Sequence, residues 1–182
     1  ILGLERKPFV KLSGLGTRIN TPQTRDLISR LNLAAITVLN NKNDVLPLHP
    51  DLKEAAILNV GKPEEIEPFD RKMKKYTSFA RFQLRKDLPE AEQQKLRDSL
   101  AAYRRVIVTV TEQRLAPYQS FFAKFAPESP VIYVFYTPAK SMLQIQRAVS
   151  AAEAVVLAHA SRDDVQERVA DLLFGKATAD GR

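Results

Sequence analysis

The sequence contains no cysteine, and this absence removes several classes of chemistry. The chain can form no disulfide, supply no thiolate to a metal and carry no cysteine nucleophile. Histidine occurs only twice, at positions 49 and 159, so there is no pair at helical spacing to bind zinc. We therefore expect no metal. The lack of cysteine leaves the compartment open, because exported bacterial proteins often lack it as well.

Long apolar runs and glycine-rich turns are also missing. No run approaches the roughly 18 apolar residues that cross a bilayer, so no membrane association is expected. The segment Gly14-Leu15-Gly16 looks like half of a dinucleotide fingerprint, but no strand precedes it and the third glycine is absent. The turns after the predicted strands contain no glycine cluster that would cradle a phosphate. We expect no nucleotide and no other cofactor.

Basic residues outnumber acidic ones by 28 to 21, which gives a formal net charge of +7. Such an excess can attract anions. Exposed aromatics interleaved with the basic residues, or a known module, would be needed to indicate nucleic acid, and neither is evident. We interpret the basic cluster as a solvated face and expect no nucleic-acid partner; it comprises Arg71, Lys72, Lys74, Lys75, Arg81, Arg85 and Lys86.

Short apolar runs alternate with amphipathic segments along most of the chain. Strands are predicted at 55–60, 106–110, 131–136 and 154–158, and a further one within 76–84. Helices are predicted between them, including one that begins at Glu90 and others over 117–125 and 141–152. This alternation predicts an α/β three-layer sandwich, with a mostly parallel sheet of about five or six strands and helices on both faces.

The first and last helices have recognisable ends. Thr21-Pro22 offers an N-cap followed by proline at the first helical position, which predicts a helix over 22–39. The β-branched run 36–38 would also permit a strand there. In the last helix, Ser161 is the expected N-cap, and acidic residues occupy the first turn. Gly175 is expected to form a left-handed C-terminal cap.

Two residues are candidates for catalysis. His159 ends the last predicted strand, close to Ser161, Asp163 and Asp164, which permits a Ser/His/Asp interpretation. Helix capping also explains the serine and both aspartates. Glu112 follows the strand at 106–110, but an acid/base role would require a second carboxylate about 5–10 Å away. The other interpretation of Glu112 is an exposed loop carboxylate paired with Arg114.

The remaining residues of interest have structural interpretations. His49 follows Leu46-Pro47-Leu48 in what is interpreted as a surface turn. The aromatic residues Phe121, Phe122 and Phe125 recur on one side of a predicted helix, which indicates packing in the core.

Two segments resemble a known family. Residues 35–48, AITVLNNKNDVLPL, are similar to the pattern S-I-V-L-L-K-N-x-x-x-L-L-P-L that opens the C-terminal α/β domain of glycoside hydrolase family 3. Residues 171–182, DLLFGKATADGR, resemble its closing pattern, L-F-G-x-x-x-x-x-G-R. The turn at 134–138 resembles the F-G-N-P turn of the β-N-acetylhexosaminidase branch, with Tyr136 and Thr137 in place of glycine and asparagine.

The resemblance implies an accessory domain of a sugar-cleaving hydrolase. The family's aspartate nucleophile, and the His–Asp acid/base pair of the hexosaminidase branch, belong to an N-terminal barrel that this chain does not contain. In the glucosidase branch, a glutamate of the α/β domain reaches that barrel's active site. Glu112 lies near the corresponding loop, which does not match the family motif, so the role is not carried over.

The expected organisation follows from this resemblance. Residues 1–20 are interpreted as a linker or interdomain segment, and 21–182 as the family 3 C-terminal domain. Both ends, at Ile1 and Arg182, are expected to be cuts within a longer protein. The expected partner is the catalytic barrel of the same parent chain, and carbohydrate would bind through that parent. An exported bacterial parent is one option for localisation.

Two other functions stay open at this stage. One is a free-standing α/β module that binds a small anionic ligand at the crevice beyond the strand ends, aided by the net charge of +7. The other is a small hydrolase built on His159.

Overall fold

The computed structural model describes residues 13–49, 54–125 and 130–181, which contain one six-stranded sheet. Its strands lie in the order β1-β6-β5-β4-β2-β3. Only β1 is antiparallel to its neighbour, β6, and all other neighbours are parallel. The strands are β1 (Thr37–Asn41), β2 (Ala55–Val60), β3 (Ala80–Leu84), β4 (Arg105–Val110), β5 (Val131–Phe135) and β6 (Ala154–Leu157).

Helices cover both faces of the sheet. The helices are α1 (Leu15–Ile19), α2 (Pro22–Ala34), α3 (Glu67–Met73), α4 (Glu90–Ala101), α5 (Gln119–Lys124), α6 (Gln146–Ala151) and α7 (Asp163–Leu173). One core layer joins the sheet to α3 and α7, and the other joins it to α4, α5 and α6. The predicted three-layer sandwich is therefore confirmed. Within the described segments, no helix combines the length and hydropathy that a membrane span requires.

Four of the strands are buried along almost their whole length, because a parallel sheet covered on both faces leaves neither side of these strands in water. Every residue of β2, β5 and β6 is buried, and in β4 only Arg105 is not. This burial is why continuous apolar runs, rather than alternating ones, predicted these strands. The fifth predicted strand is confined to β3 at the sheet edge.

The helix predicted over 22–39 is shorter than expected. Its start is correct, since Thr21 Oγ1 accepts a hydrogen bond from the Thr24 amide at 3.1 Å. The helix ends at Ala34, and Thr37–Asn41 forms strand β1 instead. The β-branched residues favour extended backbone, and pairing with β6 supplies the hydrogen bonds that a longer helix would have made internally.

Three other predictions differ in detail. The helices predicted over 117–125 and 141–152 each open with a 3-10 turn, at Ala116–Tyr118 and Ala139–Ile145, before α5 and α6 begin. Within the segment interpreted as a linker, Leu15–Ile19 is helical. Residues 1–12 and Arg182 lie outside the described residues, and the boundary between 20 and 21 stays a prediction.

The two segments that carry the family resemblance contact each other. The Leu48 amide donates a hydrogen bond to the Leu173 carbonyl at 2.6 Å, and the Gly181 amide donates to the Ile36 carbonyl at 3.0 Å. The opening and closing patterns therefore describe two sides of one packed junction, although more than 120 residues separate them in the sequence.

The structure explains why the closing segment has glycine at positions 175 and 181. Gly175 has a φ of 67°, as predicted for a left-handed cap, and a Cβ there would lie 3.0 Å from Pro47. A Cβ on Gly181 would lie 2.0 Å from Thr37 Oγ1. A side chain at either position would meet the opening segment, so the spacing of the motif reflects close backbone approach.

Candidate functional site

A cavity of about 640 Å³ opens where the strand order reverses. The chain leaves β2 for the edge strand β3 and then returns across β2 to β4, β5 and β6. Ligands of open α/β sheets bind beyond the carboxyl ends of the strands at such a point. We call this the strand-end cavity; its lining residues are Glu64, Glu65, Glu67, Pro68, Arg71, Thr111, Gln113, Tyr136, His159, Ala160, Ser161, Asp163 and Gln166.

Thr111 and Tyr136 come from neighbouring strands. They directly follow β4 and β5, and alternation along a strand puts both side chains on the sheet face covered by α3 and α7. The Tyr136 ring packs edge-on against Phe69 of α3, with centroids 6.1 Å apart. Tyr136 is only 3% exposed, so the sheet and α3 hold its ring firmly in place.

Three buried polar atoms in this region have no hydrogen-bond partner among the described residues. They are the Tyr136 hydroxyl, Thr111 Oγ1 and Asp70 Oδ1. Burial, together with the negative charge of Asp70, raises the pKa of Tyr136 well above its usual value, so the phenol stays protonated and can donate. Leaving such a group unpaired costs about 1–3 kcal/mol, which is why water or a ligand usually satisfies it.

The walls of the strand-end cavity are acidic. Glu64 and Glu65 lie in the 3-10 turn Pro63–Ile66, Glu67 begins α3, and Asp163 begins α7. The one guanidinium in the lining, Arg71, is paired with Glu167 at 3.0 Å. A ligand senses charges within about one Debye length, roughly 10 Å, rather than the net charge of the chain. This lining therefore disfavours the small anionic ligand suggested by the overall charge of +7.

Ser161 does not cap α7, contrary to the prediction. The N-cap residue is Arg162, which makes no side-chain cap. Because Ser161 lies one residue earlier, its hydroxyl turns to the 3-10 turn before α3 instead: it donates to the Glu65 carbonyl at 3.2 Å and accepts from Gln166 Nε2 at 3.0 Å. Gln166 also accepts a hydrogen bond from the Phe69 amide at 3.2 Å, which joins the two helices.

His159 lines the strand-end cavity and is exposed. Its backbone is left-handed, with a φ of 63°, which turns the chain sharply between β6 and α7. In the part of the chain that the structure describes, no hydrogen bond joins His159 to Ser161 or Asp163. Ser161, His159 and Asp163 are thus close in the sequence but do not form a hydrogen-bonded catalytic triad. A role for His159 stays a prediction.

Glu112 is not part of the cavity lining. Its carboxylate accepts a hydrogen bond from the Arg114 amide at 3.0 Å, so the predicted pairing involves the backbone of Arg114 rather than its guanidinium. Burial raises the pKa of Tyr118, and the negative charge of Glu112 raises it further. Tyr118 packs in the layer of α4 and α5. Glu112 therefore lies near Tyr118 and outside the lining of the strand-end cavity.

The other residues singled out from the sequence lie at the surface, form ion pairs or pack in the core. His49 is exposed. Several residues of the basic cluster form ion pairs: Arg71 with Glu167, Lys72 with Asp171 at 2.9 Å, and Arg81 with Asp70 at 2.7 Å. Phe121, Phe122 and Phe125 are buried, which confirms their assignment to the core.

The first turn of α7 predicts a pH-dependent contribution to stability. Burial acts to raise the pKa of Asp164, but hydrogen bonds from Ser29 and Arg162 outweigh it and hold this pKa below its usual 3.8. We expect Asp164→Asn to lower the free energy of unfolding by about 1 kcal/mol at pH 7.

The sign of the pH dependence follows from the lowered pKa. The stabilisation is present above the unfolded-state pKa and is lost as the pH falls through the folded-state value, so the difference between the proteins should begin to shrink near pH 3.8 and should vanish only below the lowered folded-state pKa of Asp164. Urea unfolding between pH 7 and pH 2.5 measures it. Asp163→Asn, in the same turn but exposed, is the control and should have the smaller effect. A difference independent of pH would contradict the assignment.

No protein-family profile matches the chain, and no curated protein is similar to it in sequence. Several solved structures are similar in fold. A fungal multi-domain family 3 β-N-acetylglucosaminidase matches with a TM-score of 0.66 at 14% identity, over 95% of this chain and 20% of that one. The β-glucoside phosphorylase BglX matches with a TM-score of 0.64 at 17% identity, over 98% and 34%.

A β-glucosidase from Listeria innocua, solved with laminaribiose, matches with a TM-score of 0.60 at 14% identity, over 96% of this chain and 28% of that one. The chain thus spans between a fifth and about a third of the length of these enzymes. At such identities the similarity establishes the fold and not the function. The fold is that of the C-terminal α/β region of family 3 glycoside hydrolases, as the two end motifs predicted.

Proposed function

We propose that this chain is an accessory α/β domain of a family 3 glycoside hydrolase, of the β-N-acetylhexosaminidase or β-glucosidase type, which packs on a catalytic barrel of the same parent chain. The fold and the two end motifs support the family assignment. The main observation in favour of docking on the barrel is an exposed apolar face on α2. In this proposal the domain holds no complete active site and contributes a wall beside the barrel's substrate pocket.

The apolar face of α2 consists of Leu27, Ile28 and Leu31. These side chains are 50%, 42% and 61% exposed, and none of the 13 residues of α2 is buried. Their spacing of one and four residues puts them on one side of the helix. Single exposed apolar residues are common, but a contiguous group on one helix face is typical of a protein interface.

Helix α2 contacts the first turn of α7, which lies beside the strand-end cavity. Ser29 of α2 donates a hydrogen bond to Asp164 in the first turn of α7. The preceding residue, Asp163, lines the cavity. A partner that covers the α2 apolar face would therefore lie next to the carboxyl-end edge of the sheet, which supports a role in shaping a pocket between the two domains.

The test uses the catalytic barrel of the parent, expressed separately. We expect this chain to bind the barrel in calorimetry and to show no turnover of p-nitrophenyl N-acetylglucosaminide or p-nitrophenyl glucoside by itself. Replacing Leu27 and Leu31 together by serine should weaken binding at least tenfold, on the order of the loss of two buried leucine contacts. The double variant should unfold at the same temperature as the parent chain, because both side chains are exposed.

Leu143→Ser is the matched control. Leu143 is 68% exposed and lies in the 3-10 turn before α6, away from α2, so this change should leave binding to the barrel unaltered. Turnover by the chain alone would refute the accessory role. Equal weakening by the control, or no weakening by the double variant, would refute the assignment of the α2 apolar face.

A further inference from the structure

We infer that the strand-end cavity binds a small organic cation that carries hydroxyl groups, such as an aminopolyol. The cavity is separate from the α2 apolar face, and its chemistry is not needed for docking. The inference therefore goes beyond the proposed function, and it is tested on this chain alone. Either proposal can fail while the other stands.

We infer a positively charged ligand because acidic residues outnumber basic ones in the lining of the strand-end cavity. Four acidic residues, Glu64, Glu65, Glu67 and Asp163, line the cavity together with one arginine, which Glu167 already pairs. The 3-10 turn Pro63–Ile66 and the first turns of α3 and α7 bring these acidic residues together from distant parts of the sequence. An ammonium group entering the cavity would gain charge-assisted hydrogen bonds, whereas a phosphate or carboxylate would meet repulsion from most directions.

An isolated metal ion does not explain this arrangement. A divalent ion needs several ligands converging on one point at about 2–2.6 Å. In the described segments, no group of three or more histidine, aspartate or glutamate side chains is close enough together to hold one. The acidic groups are instead spread around a cavity of about 640 Å³, which suits an extended organic ligand.

We infer that the ligand carries hydroxyl groups because two hydroxyls in the cavity lining lack a hydrogen-bond partner. Tyr136 is 3% exposed and Thr111 is half-buried; both line the cavity, and neither hydroxyl has a partner among the described residues. Tyr136 extends toward α3, whose first turn forms one wall. A ligand with hydroxyl groups can both accept from and donate to these two positions, which an alkyl ammonium without hydroxyl groups cannot do.

The experiment uses three probes with one carbon skeleton and different charges: glucosamine, glucose and glucose 6-phosphate. Each is titrated into the ¹⁵N-labelled chain, and amide chemical shifts are followed. We expect glucosamine to shift the amides of Thr111, Tyr136 and His159, with weaker shifts from glucose and none from glucose 6-phosphate. Raising the salt concentration should weaken glucosamine binding, because the attraction is electrostatic.

Two variants separate binding from folding. Tyr136→Phe should raise the dissociation constant for glucosamine about three- to tenfold, the range for one lost hydrogen bond. The same change should leave thermal stability unchanged or raise it, because it removes a buried hydroxyl that has no partner. Glu64→Gln combined with Glu67→Gln should weaken glucosamine binding and make the response to salt smaller.

Tyr133→Phe is the control for the aromatic substitution. Tyr133 is buried in β5, which leads directly into Tyr136, but it belongs to the opposite core layer, so Tyr133→Phe should not affect binding. The inference is overturned if glucosamine shifts none of the three amides, which would mean that only water occupies the cavity. Equal or stronger binding of glucose 6-phosphate would overturn it as well, as would a glucosamine affinity insensitive to Tyr136→Phe.

Discussion

Replacing Phe121 by alanine is expected to lower the free energy of unfolding by about 3–5 kcal/mol, close to the upper end for a single core substitution. Phe121 is completely buried and stacks on Phe125 with centroids 5.3 Å apart. It also contacts Phe122 edge-on at 5.5 Å. Removing the ring leaves a cavity beneath α5, because its aromatic neighbours belong to the same short helix and cannot close it without moving the helix.

A second loss accompanies the cavity. The Arg97 guanidinium lies 5.5 Å from the centre of the Phe121 ring and is almost buried, with a 2.7 Å ion pair to Glu90. Without the ring, this cation loses a favourable contact of about 0.5–2 kcal/mol. Urea unfolding of the variant measures the total. Leu143→Ala, at an exposed position, serves as a control and should change stability by less than about 0.5 kcal/mol. A loss for Phe121→Ala as small as that would contradict the packing.

Gly61→Ala is expected to cost about 3 kcal/mol, because two unfavourable effects coincide. Gly61 directly follows β2 and has a φ of 142°, a conformation that residues with a side chain rarely adopt. A Cβ there would lie only 1.9 Å from Thr111 Oγ1 and 3.2 Å from the Glu112 amide. The substitution must therefore displace Thr111, which lines the strand-end cavity.

A double variant separates the two effects at Gly61. Combining Gly61→Ala with Thr111→Ala removes the contact with the hydroxyl but keeps the backbone strain, so stability should recover only in part. Gly16→Ala is the control, since Gly16 has no positive φ and no atom within 4 Å of a Cβ. Thermal unfolding of the four proteins checks this. Wild-type stability for Gly61→Ala would show that the strand end relaxes without cost.

The buried strands could be predicted because their environment is uniform. In β2, β4, β5 and β6 both faces are covered, so every position favours apolar residues and the runs stand out against the charged helices. The strand β1 could not be assigned in this way. Its sequence suits either the end of a helix or a strand, and only the pairing with β6 makes it a strand.

The candidate site was predicted only in part. Residues after strand ends were taken as candidates, and one of them, His159, lines the cavity, while its role stays a prediction. Glu112 was a candidate for the same reason, but it is not part of the cavity lining. Tyr136 follows a buried strand too, yet the sequence presented it only as a departure from a family turn. A polar side chain directly after a buried strand is the signal that would have indicated it.

The acidic wall was missed for a different reason. Glu64, Glu65 and Glu67 belong to a charged stretch that is interpretable from the sequence only as a solvated surface. They become part of a cavity because α3 packs against α7, which brings Asp163 beside them. Nothing in the local sequence of α3 specifies that contact.

The sequence by itself determined the layers of this protein and its two end motifs, because burial on both faces and close backbone approach impose local requirements on residue type. Only the tertiary structure decided the character of the site. A chain with a net charge of +7 presents an acidic cavity, since the local field depends on which helix ends meet and not on the sum of the charges. The unpaired hydroxyls arise in the same way, from strands that lie side by side only in the folded sheet.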